Sequence, residues 1–372
     1  MPQTGASSPK EWRSIARAFA SEYLSPRAEA IDRSDRLPDD TIPQLRETGI
    51  LGLGISPRWG GQGGDARDLV AVLEELAVGS AAVATMVSVH LSVCSHPIET
   101  WGTEAQKERY LRGLAEGKQL GAFGLTEPGV GSDAAHLVSG YQRRENGFVL
   151  SGTKMFITNA ETADLLLLFA THDPRAGAQG ISAFLVPRMT AGVSIAQRMD
   201  KLGIRGSETT EILLVGVQLP AEALLGTEGE GLRIALGSLT SGRVGIAACA
   251  LGVARAAFEE MQSIAKKDPT DWKRAIVANA FTKLAAARAL VERAAELKAA
   301  GKPFELESSA AKLVASRAAV EIASRTIDLA GPASVRSGAR PERLLRDARV
   351  FPIVEGTTEI QELILGRTLI GR

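Results

Sequence analysis

Two short stretches hold more special residues than chain folding alone requires. The first is Phe123-Gly124-Leu125-Thr126-Glu127-Pro128-Gly129-Val130-Gly131-Ser132-Asp133. Its glycines and proline keep a strand end open, leaving backbone N–H groups and the Thr126 and Ser132 hydroxyls free to bind an anion or a heterocycle edge. The second, Phe156-Ile157-Thr158-Asn159-Ala160, sets an aromatic ring close to a hydroxyl at another strand end. Taken alone, each is equally a turn with ordinary capping groups. Other chemistries fit less well. Gly129 to Ala134 has the GxGxxA spacing of a dinucleotide loop, but Pro128 precedes it and a glycine-broken segment follows, where a strand and a helix are needed. Ser151-Gly152-Thr153-Lys154 has the SxxK spacing of serine acyl-enzymes, whose Ser and Lys share a helix, and Gly152 in a β-rich run denies one. His90, His96, His136 and His172 lack metal-ligand spacing, so no metal is expected. His90 and His96 lie in an apolar helical run, where a satisfied core role is the simpler reading.

The elements that position these stretches fall into three zones. Residues 1–118 read as helices. Ser8-Pro9-Lys10-Glu11 is a capping box, Asp40 can cap a segment stopped by Gly49, an apolar repeat from Leu69 ends at Gly79, and Thr103 to Gln106 is a second capping box. Residues 119–225 change period. Short β-rich runs at Gly121–Leu125, Gly147–Ser151, Met155–Thr158, Leu165–Thr171, Ile181–Val186 and Ile212–Gln218 predict an antiparallel β domain rather than βαβ units. Residues 226–372 return to long amphipathic helices, broken at Asp268-Pro269-Thr270-Asp271, which predict a helical bundle. The fold class is α+β and multidomain.

The chain has 372 residues, 43 basic and 43 acidic, with 45% hydrophobic and 5% aromatic residues. That length suggests two or three domains of roughly 100–200 residues. Balanced charge and few aromatics argue against a nucleic-acid partner, which needs a basic face or stacking platforms. Cys94 and Cys249 are far apart with no CxxC pair, against a disulfide scaffold or zinc site. The longest purely apolar runs, Leu165–Ala170 and Ile246–Leu251, fall short of the roughly 20 residues of a membrane span. Without a continuous apolar run at the N-terminus, no secretory signal or membrane insertion is expected. A cytoplasmic protein is the expectation.

Together the two stretches resemble the acyl-CoA dehydrogenase family of flavoproteins, of the short- and medium-chain type. Trp59-Gly60-Gly61 and Leu73-Glu74-Glu75-Leu76-Ala77 look like parts of its N-terminal domain, and Gly124–Asp133 like its first signature. Gly152–Ala160 looks like its second flavin segment. Arg346-Asp347-Ala348 and Val354-Glu355-Gly356-Thr357-Thr358-Glu359-Ile360-Gln361 look like its C-terminal catalytic segment. Several ordered motifs across the chain make the signal strong. The fold implied, an N-terminal α-helical domain, a middle β domain and a C-terminal four-helix bundle, agrees with the three zones.

The chemistry implied by the resemblance is α,β-desaturation of an acyl-CoA thioester, with the α-proton passing to a base and the β-hydride to N5 of FAD. Glu355 matches the base; relatives that carry it on an earlier helix have it at the position of Gly242 here. A carboxylate suits the task if burial raises its pKa toward neutrality. The resemblance gives flavin contacts to Phe123, Leu125, Thr126, Gly131, Ser132, Phe156, Ile157 and Thr158, with Thr357 and Glu359 meeting the cofactor from the other side. It places Ser132, Arg243 and Gly356 near the substrate, although Arg243 is equally a structural ion-pair partner. The Glu355 backbone N–H would hold the thioester carbonyl, as in an oxyanion hole. Expected partners are an electron-transferring flavoprotein as acceptor and further copies of the chain in a homotetramer, or a different subunit in a heteromer. Fatty acid metabolism is the implied setting.

Departures from the pattern leave alternatives. The family's Arg-x-x-Phe-Gly region reads Lys266–Arg274, and its Gln-x-x-Gly-Gly-x-Gly reads Asp328-Leu329-Ala330-Gly331-Pro332-Ala333-Ser334. Both segments reach the flavin tail across a subunit interface in relatives. Thr240 and Val354 stand where short-chain relatives often have aspartate and tyrosine, leaving acyl specificity open. An FAD-deficient structural subunit, or an oxygen-using oxidase or monooxygenase on the same fold, is the alternative.

Overall fold

The structure is a computed structural model that describes residues 9–371. The expected Ser8 cap lies outside the described residues. The first helices are α1 (Pro9–Phe19), α2 (Ser25–Ser34) and α3 (Thr41–Thr48), followed by α4 (Ala66–Gly79), α5 (Ala81–Ser88), α6 (His96–Trp101) and α7 (Glu104–Ala115). Gly49 stops α3 in the left-handed conformation, φ 76°. Asp40 stands before α3 as expected but does not cap it, because its carboxylate accepts the Tyr23 hydroxyl at 2.6 Å instead. Thr103 and Gln106 form the reciprocal box that starts α7. A π-helical segment, Val89–Ser95, joins α5 to α6.

Eight strands follow: β1 (Gly121–Gly124), β2 (Gly140–Arg144), β3 (Gly147–Thr158), β4 (Leu165–Thr171), β5 (Ile181–Pro187), β6 (Val193–Arg198), β7 (Thr209–Pro220) and β8 (Leu224–Leu225). They form one sheet ordered β6-β7-β3-β2-β4-β5-β8, with β1 beside β4. The sheet is largely antiparallel, but β1 and β2 run parallel to β4. The runs 147–151 and 155–158 are one strand, interrupted by register shifts at Leu150/Gly152 and Lys154/Ile157. Every residue of β4 is buried, so alternation disappears. Leu165, Leu167 and Phe169 join a core with α6 and α7, while Leu166, Leu168 and Ala170 face the β2–β3–β5–β7 core.

The C-terminal part comprises α8 (Gly231–Lys267), α9 (Asp271–Ala299), α10 (Glu305–Ala330), α11 (Arg340–Ala348) and α12 (Thr358–Ile370). A shared core of α1, α4, α8, α9 and α10 binds it to the N-terminal helices. Two adjacent carboxylates of α4 form its polar node. Glu74 meets Arg13, Arg255 and Arg288, and Glu75 meets Arg13, Arg17 and Arg255. Burial alone would raise both carboxyls, but the arginines more than offset it and hold them below the ordinary range. Two helical stretches, Ala81–Trp101 and Gly231–Lys267, are long and apolar enough to cross a membrane. Their most apolar windows are 94% and 78% buried within the fold, as core helices are.

Candidate active site

The two special stretches meet at the ends of β1 and β3. Lys154 of β3 is fully buried and reaches across to the 125–127 loop, donating to the Leu125 carbonyl at 3.2 Å and the Glu127 carboxylate at 2.7 Å. Glu127 also accepts the Val138 and Ser139 N–H groups at 2.7 and 3.0 Å. Met155 N–H donates to the Thr126 carbonyl at 2.8 Å. One buried ion pair therefore fixes both ends of the glycine-rich loop and ties it to β3. Burial brings the Lys154 ammonium down to about 8, against the pull of Glu127.

This arrangement exposes what a flavin could use. Phe156 has φ 59° and is 59% exposed, an uncommon conformation for a bulky residue and an uncommon place for an aromatic ring. The Thr126 and Thr158 side chains make no hydrogen bond among the described residues. Gly131 and Ser132 are exposed, and a Cβ at Gly129 or Gly131 would meet nothing within 4 Å. Phe123 is half-buried, its ring 5.1 Å from that of Phe169. Leu125 and Ile157 turn their side chains into the core, Leu125 from the loop and Ile157 from the end of β3. An open aromatic face flanked by free hydroxyls and unobstructed backbone fits a flavin ring.

His90 and Asn159 lock this region to the helices. Gly121 N–H donates to His90 Nδ1 at 3.2 Å, so Nε2–H faces the Leu51 carbonyl at 3.0 Å. Burial lowers the imidazole to about 4, keeping it a neutral core residue. Asn159, at φ 68°, donates to the carbonyls of Met86 and Gly121.

Glu355 lies in the turn between α11 and α12, with φ 51°. The turn is held by its carbonyls. Lys312 and Gln361 donate to the Gly356 carbonyl at 2.7 and 3.0 Å, and Thr358 N–H donates to Pro352 at 2.8 Å. The Glu355 N–H donates to no backbone carbonyl of the turn. Thr357 caps α12, its hydroxyl accepting the Ile360 N–H, while Glu359 is exposed on the first turn.

Both Glu355 carboxylate oxygens are buried with no hydrogen-bond partner among the described residues. They lie against Gly242 of α8, where an added Cβ would fall 2.2 Å from Oε2 and 2.7 Å from Val93. Only glycine leaves room for this carboxylate. Burial pushes it up to about 7, against the pull of Arg243, Lys312 and Lys298. Arg243 is 4% exposed, and its Nε and Nη1 also lack partners. It is therefore no saturated structural ion pair.

The altered segments lie elsewhere. Asp328 pairs with Arg325 at 3.2 Å on the α10 surface, and Pro332 opens a short 3-10 turn. The 266–274 segment joins α8 to α9 and exposes Trp272. Sequence reasoning missed Lys154, Lys298 and Lys312, since a lysine in a strand or amphipathic helix carries no signal of burial. Among the described residues, no group of three or more His, Cys, Asp or Glu could hold a metal.

Fold and comparisons together define a flavoprotein oxidoreductase. Models of the N-terminal, middle and C-terminal acyl-CoA dehydrogenase domains match residues 7–118, 122–217 and 229–370. An acyl-CoA dehydrogenase of Bacillus subtilis is 40% identical over 96% of this chain and 97% of its own length. Butyryl-CoA dehydrogenase of Megasphaera elsdenii superposes with a TM-score of 0.95 at 35% identity, covering 100% of this chain and 99% of that one. A structure from work on the electron transferring flavoprotein of Acidaminococcus fermentans gives 0.96 at 33% identity, covering 100% of each chain. The chain belongs to the acyl-CoA dehydrogenase family, FAD-dependent oxidoreductases of acyl-CoA thioesters.

Proposed function

We propose that Glu355 is the base that removes the α-proton of a bound acyl-CoA. The observation that carries this is a buried, unpartnered carboxylate brought near neutral pKa opposite the one residue type that leaves it room. A carboxylate held near 7 is ionised enough to accept a proton at neutral pH and basic enough to compete for one on an activated carbon. The Glu355 N–H is available for the thioester oxygen, where negative charge develops as the proton leaves. Arg243 and Gly356 adjoin the substrate, with Ser132 at the mouth of the loop. Phe123, Leu125, Thr126, Gly131, Ser132, Phe156, Ile157 and Thr158 hold FAD on one side, Thr357 and Glu359 on the other. Bound FAD supplies the acceptor for the β-hydrogen and its electron pair.

Electrons pass on to an electron-transferring flavoprotein, a reading supported by family membership and the Acidaminococcus likeness. The protein works as a homotetramer in the cytoplasm, within fatty acid metabolism. Exposed Trp272 and Phe281 on α9 and Leu363, Leu369 and Ile370 on α12 are the apolar surface that assembly would cover. Two buried free cysteines suit a reducing compartment.

Anaerobic titration of the purified yellow protein with saturated acyl-CoA thioesters tests the assignment. Native protein should bleach, while Glu355→Gln should keep its flavin and stay yellow. Bleaching of the variant at the native rate refutes the base. A protein that stays colourless with added FAD favours the structural-subunit alternative, and rapid reoxidation by oxygen favours an oxidase.

A further inference from the structure

The loop between β6 and β7 holds a backbone outlier that the chemistry above does not use. Ile204 is β-branched and buried, yet its φ is 53°, in the left-handed region that such residues avoid. Strain of this kind persists only where the surroundings over-determine it. Here they do. The Ile204 N–H donates at 2.6 Å to the buried carboxylate of Asp347, near the end of α11. Next to it, Arg346 grips both Asp32 carboxylate oxygens on α2 at 2.7 and 2.6 Å and donates to the Leu202 carbonyl at 3.1 Å. A Cβ on Gly203 would collide with the Arg346 carbonyl and fall 2.6 Å from the Asp347 nitrogen. The sheet loop, the N-terminal helices and α11 therefore meet at Arg346 and Asp347.

From that junction the chain reaches Glu355 with little slack. Val350 N–H donates to the Asp347 carbonyl at 3.2 Å, and the Ile353 and Val354 N–H groups donate to Val350 at 3.0 and 3.3 Å. Phe351, between them, is fully buried in the core shared by α1, α4, α8, α9 and α10. Beyond Glu355, Lys312 and Gln361 hold the Gly356 carbonyl. The base thus hangs between two anchors. Its own carboxylate makes no hydrogen bond, so only the backbone on either side and the wall at Gly242 aim it.

We infer that Asp347 is a positioning residue for the base: by binding the Ile204 N–H it fixes the end of α11 against the sheet, and so sets where Glu355 stands. Without that bond the turn swings about its Lys312 anchor and the carboxylate leaves its buried place against α8. This rests on the assignment of Glu355 as base.

The test uses holoenzyme carrying Asp347→Ala or, from the sheet side of the same contact, Gly203→Ala. Both variants should keep their flavin and hold KM within about twofold, while kcat falls roughly 10- to 100-fold, the cost of a misplaced group. The limb of the kcat/KM profile at about 7 should move lower, because a less buried carboxylate is more acidic. Asp347→Asn keeps an acceptor for the Ile204 N–H and should restore most of kcat and return the limb. A flavin-replete Asp347→Ala with native kcat overturns the inference, as does one that is slower with its limb unmoved. Where Asp347→Ala does not fold, Gly203→Ala is held to the same two outcomes. Loss of flavin or of folding in both alanine variants also overturns it, for the junction then serves the fold as a whole. Bleaching by substrate separates this from the base itself. Native-rate bleaching of Glu355→Gln rejects the base, whereas abolished bleaching there with native-rate bleaching of Asp347→Ala rejects only the positioning role.

Discussion

Glu355→Gln should make the protein more stable, and only above a definable pH. The carboxyl rises from 4.5 to about 7 on folding, chiefly through burial. Between those values the folded chain holds a proton that the unfolded chain has released, so stability is full below the lower value and falls as pH rises through the upper one. At roughly 1.36 kcal/mol per unit, the ionised base costs about 3 kcal/mol of folding free energy at neutral and higher pH. Glutamine has nearly the same shape and cannot ionise. The stability difference, variant minus native, should therefore grow by about 3 kcal/mol from about pH 4 to about pH 8. Other groups titrate alike in both proteins and cancel. Chemical denaturation of flavin-free protein at the two pH values measures it. A difference independent of pH, or growing in the opposite direction, would refute the claim that burial sets the acidity of this carboxylate.

Other outcomes follow from the same geometry. For the native enzyme, kcat/KM should rise with pH through about 7 as Glu355 ionises, and this limb should vanish in the residual activity of Glu355→Gln. Gly242→Ala puts a methyl 2.2 Å from Glu355 Oε2; displacement of the base should cost roughly 100-fold in kcat with flavin content retained. Lys154→Met strands Glu127 as a buried charge and should destabilise by about 3–5 kcal/mol, with loss of FAD absorbance on gel filtration. Phe156→Gly relieves a left-handed aromatic and should stabilise flavin-free protein by about 1 kcal/mol while weakening FAD retention, read by melting temperature and by absorbance.

The three-part architecture was legible because each part announces its own period. Long Ala- and Leu-rich stretches with few breakers read as helices, and short, closely spaced apolar runs punctuated by glycine, asparagine and proline read as strands. The pairing of β1 with β4 was not legible. Parallel neighbours separated by a hairpin leave no local mark, and β4, buried on both faces, shows no alternation to tell which side faces what. At the site, Glu355, Phe156 and the glycine-rich loop stand out by type and order. Asp40 shows the limit of such signals: a good cap by composition, it answers to Tyr23 because tertiary contact outbids local preference. The buried lysines were invisible for a related reason. Their burial depends on partners 27 and 44 residues away, Glu127 for Lys154 and Gly356 for Lys312.

Lys312 joins two properties that are usually adjusted separately. Its grip on the Gly356 carbonyl decides where the adjoining carboxylate stands, and its charge weighs on how tightly that carboxylate keeps a proton. Any drift of the turn away from the ammonium would thus weaken the aim of the base and raise its affinity for hydrogen ions in one movement. Descendants of this sequence cannot retune one without disturbing the other, unless a second cation takes over half of the task.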